Sequence, residues 1–334
     1  MSIQYIAIDK NTLVEDKKVG CDLYLKSYVN RNSRYILFCR GDEQFGQDRK
    51  WSLIERNIEK LYIHSDDYEK FFKYQEQNLS NIVSSDNLSF QEKSHAVYNI
   101  AKSLTKDVLR DIGSSKVDLG RVKNWVKYSI SFILNDENAF SGLLSMTSHD
   151  YYTYTHSINL SVFGLLFGKH LSLDPEDLNS FGTGMLLHDV GKVNIPLETL
   201  NKPGKLTKEE FDNIKHHPET GYELLKNKDC IDEKALIPVI QHHENFDGTG
   251  YPHGIGGHEI DLYGKLARIV DVYDAITSRR CYADKMNPFA ALKEMKECMI
   301  NCFDTELFQE FINFLGPRSS GIIKEHGGVV CLRT

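Results

Sequence analysis

No run of this sequence reaches the roughly 18–20 apolar residues that a membrane-spanning helix requires, so a transmembrane helix is not expected. The N-terminus, Met1-Ser2-Ile3-Gln4-Tyr5, has neither the basic segment nor the apolar core of a secretion signal. A basic excess is also missing: 40 Lys and Arg against 47 Asp and Glu leave a formal net charge of −7. That balance argues against a general binder of nucleic-acid polymers or membrane surfaces, but a small phosphorylated ligand needs only a few local cations. The seven cysteines, Cys21, Cys39, Cys230, Cys281, Cys298, Cys302 and Cys331, are odd in number and include no CxxC pair. A disulfide framework is therefore not expected, and the predicted setting is the reducing cytoplasm. Cys298 and Cys302, four residues apart, read as small buried hydrophobes on one helix face. Internal repeats and low-complexity segments are absent as well.

What is present is a chain of 334 residues, 41% of them hydrophobic, enough for a sizeable core and more than one domain. Residues 1–75 read as a small α+β N-terminal domain. The segments Ile3–Ile8, Cys21–Leu25, Arg34–Phe38 and Leu61–Ile63 carry strand signals, and a helix is predicted near Trp51–Lys60. This part shows no catalytic constellation, and a sensor, lid, dimerisation or plain supporting role fits it equally. From Ser65 onward helical patterns dominate. Residues 76–140 form a predicted helical connecting segment, with helices over Ser89–Ile112 and Leu119–Leu134. Residues 141–334 form a predicted all-helical catalytic domain, so the fold class is mainly α.

The histidines mark that last part: ten of thirteen lie between His149 and His258. In Tyr154–Leu171, His156, Leu160, Phe163 and Phe167 recur on one helix face. Asp174 before Pro175 is an N-cap candidate for a helix running to about His188, with Gly191 as its stop. His188 and Asp189 would then sit in the last turn, about 100° apart in direction. A nitrogen ligand beside a two-oxygen ligand suits divalent metal chemistry. Thr207-Lys208-Glu209-Glu210 reads as a capping box opening a helix that carries His216 and His217 up to Pro218, only one of the two facing inward. A further apolar helix ends in His242-His243-Glu244, and Asn245–Pro252 is loop chemistry. In Leu266–Thr277, Ala267, Val270, Asp271 and Asp274 form an inward stripe. A carboxylate at 271 there is costly unless it is paired or bound to metal. His149-Asp150 reads as structural, and His253, His258 and His326 as facing solvent or held in local hydrogen bonds.

The ordered blocks His188-Asp189-x-Gly191-Lys192, His217-Pro218-Glu219, His242-His243-Glu244, Asp247-Gly248-Thr249-Gly250-Tyr251-Pro252, Arg268–Ala275 and Arg280-Cys281-Tyr282, with the upstream Tyr152–Ser157, resemble an HD-GYP domain over about residues 145–315. The resemblance implies an all-helical HD-type bundle with a metal centre, and a phosphodiesterase acting on a bacterial cyclic dinucleotide, cyclic di-GMP or the mixed 3',3'-cyclic GMP-AMP. It implies one metal on His156, His188, Asp189 and Asp271, and a second on Asp189, His217, His242 and His243, bridged by Asp189. Members with three metals carry a Glu where this chain has Tyr152, so two are expected.

On that reading two cations roughly 3.5–4 Å apart hold a bridging hydroxide that attacks phosphorus and yields the linear dinucleotide. Lys192 would stabilise the charge on the reacting phosphate, and Arg280 with Lys285 would hold the other phosphate. Gly250, Tyr251 and Pro252 lie on a loop that could meet the base or its phosphate. Histidine-rich ligands with a bridging carboxylate favour Fe or Mn over Mg or Ni. A homodimer or a diguanylate-cyclase-type signalling partner is compatible with the family. The chain departs from the family pattern at Asn245 and Ala283, where basic residues are usual. Those departures motivate one alternative, a catalytically weak dinucleotide-binding module; a nucleotidase or phosphatase of the wider HD superfamily is a more remote one, since the Gly250-Tyr251-Pro252 block does not belong to that broader pattern.

Overall fold

A computed structural model describes residues 4–29, 32–114, 117–136, 138–139, 142–143, 153–200, 202, 204–278 and 286–316. The chain begins with four antiparallel strands: β1 (Tyr5–Asp9), β2 (Leu23–Val29), β3 (Asn32–Cys39) and β4 (Lys60–His64), in the spatial order β1-β4-β2-β3. Alternation along each strand separates two faces. Ile8, Leu23, Leu61 and Ile63 pack on Leu53 of helix α1 (Gln47–Glu55) and on Phe71 and Tyr74 of α2 (Tyr68–Gln77). The other face carries a tyrosine cluster in which the Tyr5 and Tyr35 rings stack at 3.9 Å. Helix α1 starts and ends earlier than the predicted Trp51–Lys60. Asn57 adopts a left-handed φ of 51°, which stops the helix and turns the chain into β4.

The regular structure that follows among the described residues is helical: α3 (Leu79–Val83), α4 (Phe90–Asp111), α5 (Gly120–Asn135), α6 (Thr153–His170), α7 (Pro175–Leu187), α8 (Leu197–Leu200), α9 (Lys208–Ile214), α10 (His217–Leu225), α11 (Glu233–Gln241), α12 (Leu262–Thr277), α13 (Pro288–Cys298) and α14 (Thr305–Leu315). The chain is thus mainly α, with one small sheet near its N-terminus. Local chemistry sets many helix starts. Ser89 and Glu92 form a reciprocal capping box for α4, Thr207 and Glu210 do the same for α9, and the Asp174 carboxylate accepts from the Glu176 and Asp177 amides at α7. A continuous core joins α3–α7 and α10–α14, so α4 and α5 share the interior of the C-terminal bundle. Fully buried Phe167, Phe181 and Phe311 each contribute roughly 1.5–3 kcal/mol relative to exposure.

Three expectations need correction. Helix α6 is not amphipathic: every residue from Thr155 to Gly168 is buried, because α4, α5, α7, α12 and α14 surround it. The predicted helix through His216 and His217 is two helices. Helix α9 stops at Ile214, and His217 opens α10 with Pro218 in the first turn, where a missing N–H costs nothing. Cys298 and Cys302 do not share a helix face. Cys298 ends α13 and is exposed, and Cys302 sits half-buried in a following single-turn 3-10 helix. No helix among the described residues is long and apolar enough to cross a membrane.

Candidate metal centre

Five segments deliver the predicted side chains to one buried place: the N-terminal half of α6, the end of α7, the start of α10, the residues after α11, and the middle of α12. His156, His188, Asp189, His217, His242 and Asp271 are each at most 6% exposed. The His217 and His242 Nε2 atoms are 3.1 Å apart, and His156 Nε2 is 3.1 Å from Asp271 Oδ1. Asp189 lies between the two groups. Its Oδ2 is 3.3 Å from His188 Nε2 and 3.9 Å from His156 Nε2, and its Oδ1 is 3.2 Å from His217 Nε2 and 3.8 Å from His242 Nε2. A carboxylate with one oxygen toward each group offers a donor to both.

Donor accounting shows what this cluster requires. Three imidazoles have one nitrogen already committed: Nδ1 of His188 to the Met185 carbonyl at 2.8 Å, of His217 to the Ile214 carbonyl at 2.7 Å, and of His242 to the Pro238 carbonyl at 2.8 Å. A carbonyl only accepts, so each Nδ1 carries the proton, and in the neutral ring Nε2 presents a lone pair. Burial pushes the pKa of His217, His242 and His243 down, so these rings are neutral near pH 7. The Nε2 lone pairs of His217 and His242 therefore face each other and the Asp189 carboxylate without a proton between them. His188 Nε2 and Asp189 Oδ1 are buried and have no hydrogen-bond partner. Convergent lone pairs and orphaned acceptors are unfavourable alone and correct for a cation. Three subsets bring their ligand atoms within 4.8 Å of one another: His217, His242 and His243; His156, His188 and Asp271; His188, Asp189 and His242. Both carboxyls are poised as anions. Burial opposes ionisation at Asp189 and Asp271, but His188 and Lys192 beside the first, and the hydrogen bond from His156 to the second, hold both well below the usual carboxylate range.

Lys192 comes off the 3-10 turn after α7 and puts Nζ 2.7 Å from Asp189 Oδ2. Gly191 in that turn was predicted as a helix stop, but the structure gives another reason for it. A Cβ there would lie 2.0 Å from the His217 carbonyl oxygen and 2.6 Å from the Gly221 amide, so only glycine lets the two ligand-bearing segments touch. The loop after His243 folds back in the same manner. A Cβ on Gly250 would sit 2.3–2.5 Å from backbone atoms of His243, Glu244 and Asn245. The Tyr251 amide donates to the His243 carbonyl at 3.1 Å, and the Tyr251 ring stacks on His243 at 4.6 Å, ahead of a cis bond to Pro252. Asn245 binds both Thr249 (3.0 Å) and Arg268 (2.9 Å). Arg268 is thus engaged away from Asp271. His216, His253 and His258 are exposed, as expected for the last two. Arg280, Lys285, Cys281, Tyr282, Ala283, Tyr152, His149-Asp150, His326 and Cys331 lie outside the described residues.

Sequence reasoning gave no role to two buried carboxylates. Asp274 Oδ2 accepts from His156 Nδ1 at 2.7 Å, fixing that ring as the carbonyls fix the others. Its position three residues after Asp271 was the available signal. Glu244 Oε1 accepts from the His253 amide at 2.7 Å and ties the loop down, a contact spanning nine residues with no local sequence mark.

The chain matches the family model of the HD domain over residues 138–307 and belongs to that family. HD domains use divalent metals, in keeping with the donor set. The chain is 34% identical over 219 residues to a cyclic di-GMP phosphodiesterase of Pseudomonas aeruginosa, covering 65% of this chain and 52% of that protein. It is 41% identical over 129 residues to a cyclic di-GMP phosphodiesterase response regulator of Xanthomonas campestris (38% of this chain, 34% of that one). To a 3'3'-cGAMP-specific phosphodiesterase of Vibrio cholerae it is 32% identical over 157 residues (47% and 34%). The chain thus spans about half or less of the length of these relatives. An HDGYP protein from Bdellovibrio bacteriovorus shares the fold, with a TM-score of 0.63 at 20% identity, across 93% of this chain and 99% of that one.

Proposed function

We propose that this protein is a metal-dependent phosphodiesterase that hydrolyses a bacterial cyclic dinucleotide, cyclic di-GMP or 3',3'-cyclic GMP-AMP, to the linear dinucleotide. The observation that carries the reading is the set of inward Nε2 lone pairs around Asp189, together with relatives named for these two activities. His156, His188, Asp189 and Asp271 would hold one divalent cation, and Asp189, His217, His242 and His243 the other. Cations bound there supply Lewis-acid neutralisation of phosphate charge and a nucleophile at neutral pH. The histidine majority favours Fe or Mn, with Mg or Ni the weaker fits.

The chain's own groups do the rest. Lys192 keeps a positive charge beside Asp189 at the edge of the site, where it can meet oxygen charge growing in the transition state. Tyr251, held on His243 by the Gly250 turn and followed by Pro252, offers an aromatic surface to a base. Arg280 and Lys285 are assigned to the second phosphate on sequence grounds. The two oxygens of Asp189 keep the histidine groups in register.

The test loads purified protein with Mn or Fe, counts the bound metal, and assays cyclic di-GMP, 3',3'-cyclic GMP-AMP and dNTPs. Linear dinucleotide from either cyclic substrate is expected. A fully loaded protein that cuts neither overturns the proposal. A tight complex that survives uncut would favour the binding-module reading, which the Asn245 substitution motivates, and preferential turnover of dNTPs would favour a nucleotidase.

A further inference from the structure

His156 is supported by a chain of hydrogen bonds that leaves the HD domain. Its Nδ1 meets Asp274 Oδ2 at 2.7 Å, and the Asn159 amide nitrogen donates to Asp274 Oδ1 at 3.0 Å. The Tyr98 hydroxyl donates to Asn159 Oδ1 at 2.7 Å. Tyr98 belongs to α4, whereas the family match begins at residue 138. Tyr98, Asn159, Asp274 and His156 are each at most 2% exposed, so water does not substitute for these bonds.

The sense of each bond follows from its partners. The Asp274 carboxylate accepts on both oxygens, from His156 Nδ1–H on one side and the Asn159 NH2 on the other. That fixes the Asn159 amide, whose oxygen must then face α4, where it needs a donor. The Tyr98 hydroxyl is that donor. Removing it would take a donor at 2.7 Å from the amide oxygen and weaken the hold that keeps the amide from turning that acceptor toward Asp274. The carboxylate would then hold His156 Nδ1–H less firmly, and with it the aim of Nε2, which stands 3.1 Å from Asp271 Oδ1.

We propose that Tyr98 is a positioning residue of the metal centre. Through Asn159 and Asp274 it fixes the tautomer and aim of His156, so α4, outside the HD domain, helps set metal affinity. The inference rests on the metal-centre reading above, and its test separates the two.

Full-length wild type, Tyr98→Phe, Asp274→Asn and Val126→Ala, the last a core change in α5 that removes no hydrogen-bonding group, are compared by two readouts. One is the Mn dissociation constant from chelator competition. The other is the His156 tautomer from long-range 1H–15N spectra of the metal-free protein, which needs neither metal nor activity. Wild type should show His156 protonated at Nδ1. Loss of an outer-shell partner typically weakens metal binding 10–100-fold, so Asp274→Asn should approach about 100-fold and Tyr98→Phe about 10-fold, both with altered His156 signals. Val126→Ala should lower stability and move neither readout. The proposal is overturned if Tyr98→Phe keeps both the wild-type tautomer and the wild-type affinity, or if Val126→Ala shifts them as much. Wild type that binds no Mn would sink the metal-centre reading, and the tautomer comparison would still decide on Tyr98.

Discussion

Replacing Gly191 by alanine adds one methyl group at the tightest contact around the site. The new Cβ would stand 2.0 Å from the His217 carbonyl oxygen and 2.6 Å from the Gly221 amide nitrogen, both backbone atoms. Ordinary contact begins near 3.4 Å, so the turn and α10 must part by about 1 Å or more. No side chain can rotate away to absorb it. Overpacking of this kind costs about 1–3 kcal/mol, and a backbone-to-backbone clash belongs at the upper end. At about 2–4 °C per kcal/mol for a large domain, Tm should fall by roughly 6–12 °C. The same displacement moves His217 relative to Asp189, now 3.2 Å away, and misplacement near 1 Å can cost about 100-fold in rate. Gly113→Ala is the matched control, since nothing lies within 4 Å of a Cβ there. Thermal melts and Mn titrations of the two variants check the reasoning. If Gly191→Ala melts and binds Mn as wild type does, the close approach does not hold the ligands in place.

Metal-free protein should lose stability as pH falls below about 6.5, because His217, His242 and His243 have lowered pKa values when folded and the unfolded chain then binds more protons. The stabilisation from Asp189 and Asp271, whose pKa values also lie below the ordinary one, should persist above about pH 3.8 and disappear as pH drops through their folded values. A Tm that stays flat from pH 7.5 to pH 5 contradicts the histidine part. Glu244→Ala should loosen the loop bearing Tyr251, costing about 1–3 kcal/mol and raising KM more than it lowers kcat, while Glu244→Gln keeps the acceptor for the His253 amide and should restore much of both. Steady-state kinetics and limited proteolysis near residue 250 measure the difference. Thr207→Ala removes the α9 cap and should cost about 1 kcal/mol without changing Mn affinity, as melts and titration will show.

Much of the architecture was legible in the residues themselves, because its causes are local. The Asp174 cap and the Thr207–Glu210 capping box involve neighbours two to three positions apart, and they set helix starts where the sequence put them. The ordered histidine and aspartate blocks named the seven candidate ligands, all of which the folded chain brings together. What tertiary structure alone decided depends on distance through space. The contact of Gly191 with α10, the break before His217, the burial of α6 on every side and the exposure of Cys298 each follow from which element packs on which. Asp274 reaches His156 across 118 residues, and Tyr98 reaches Asn159 across 61. Periodicity can say that a side chain faces inward, but the atom it meets there is set by the packing of the other helices.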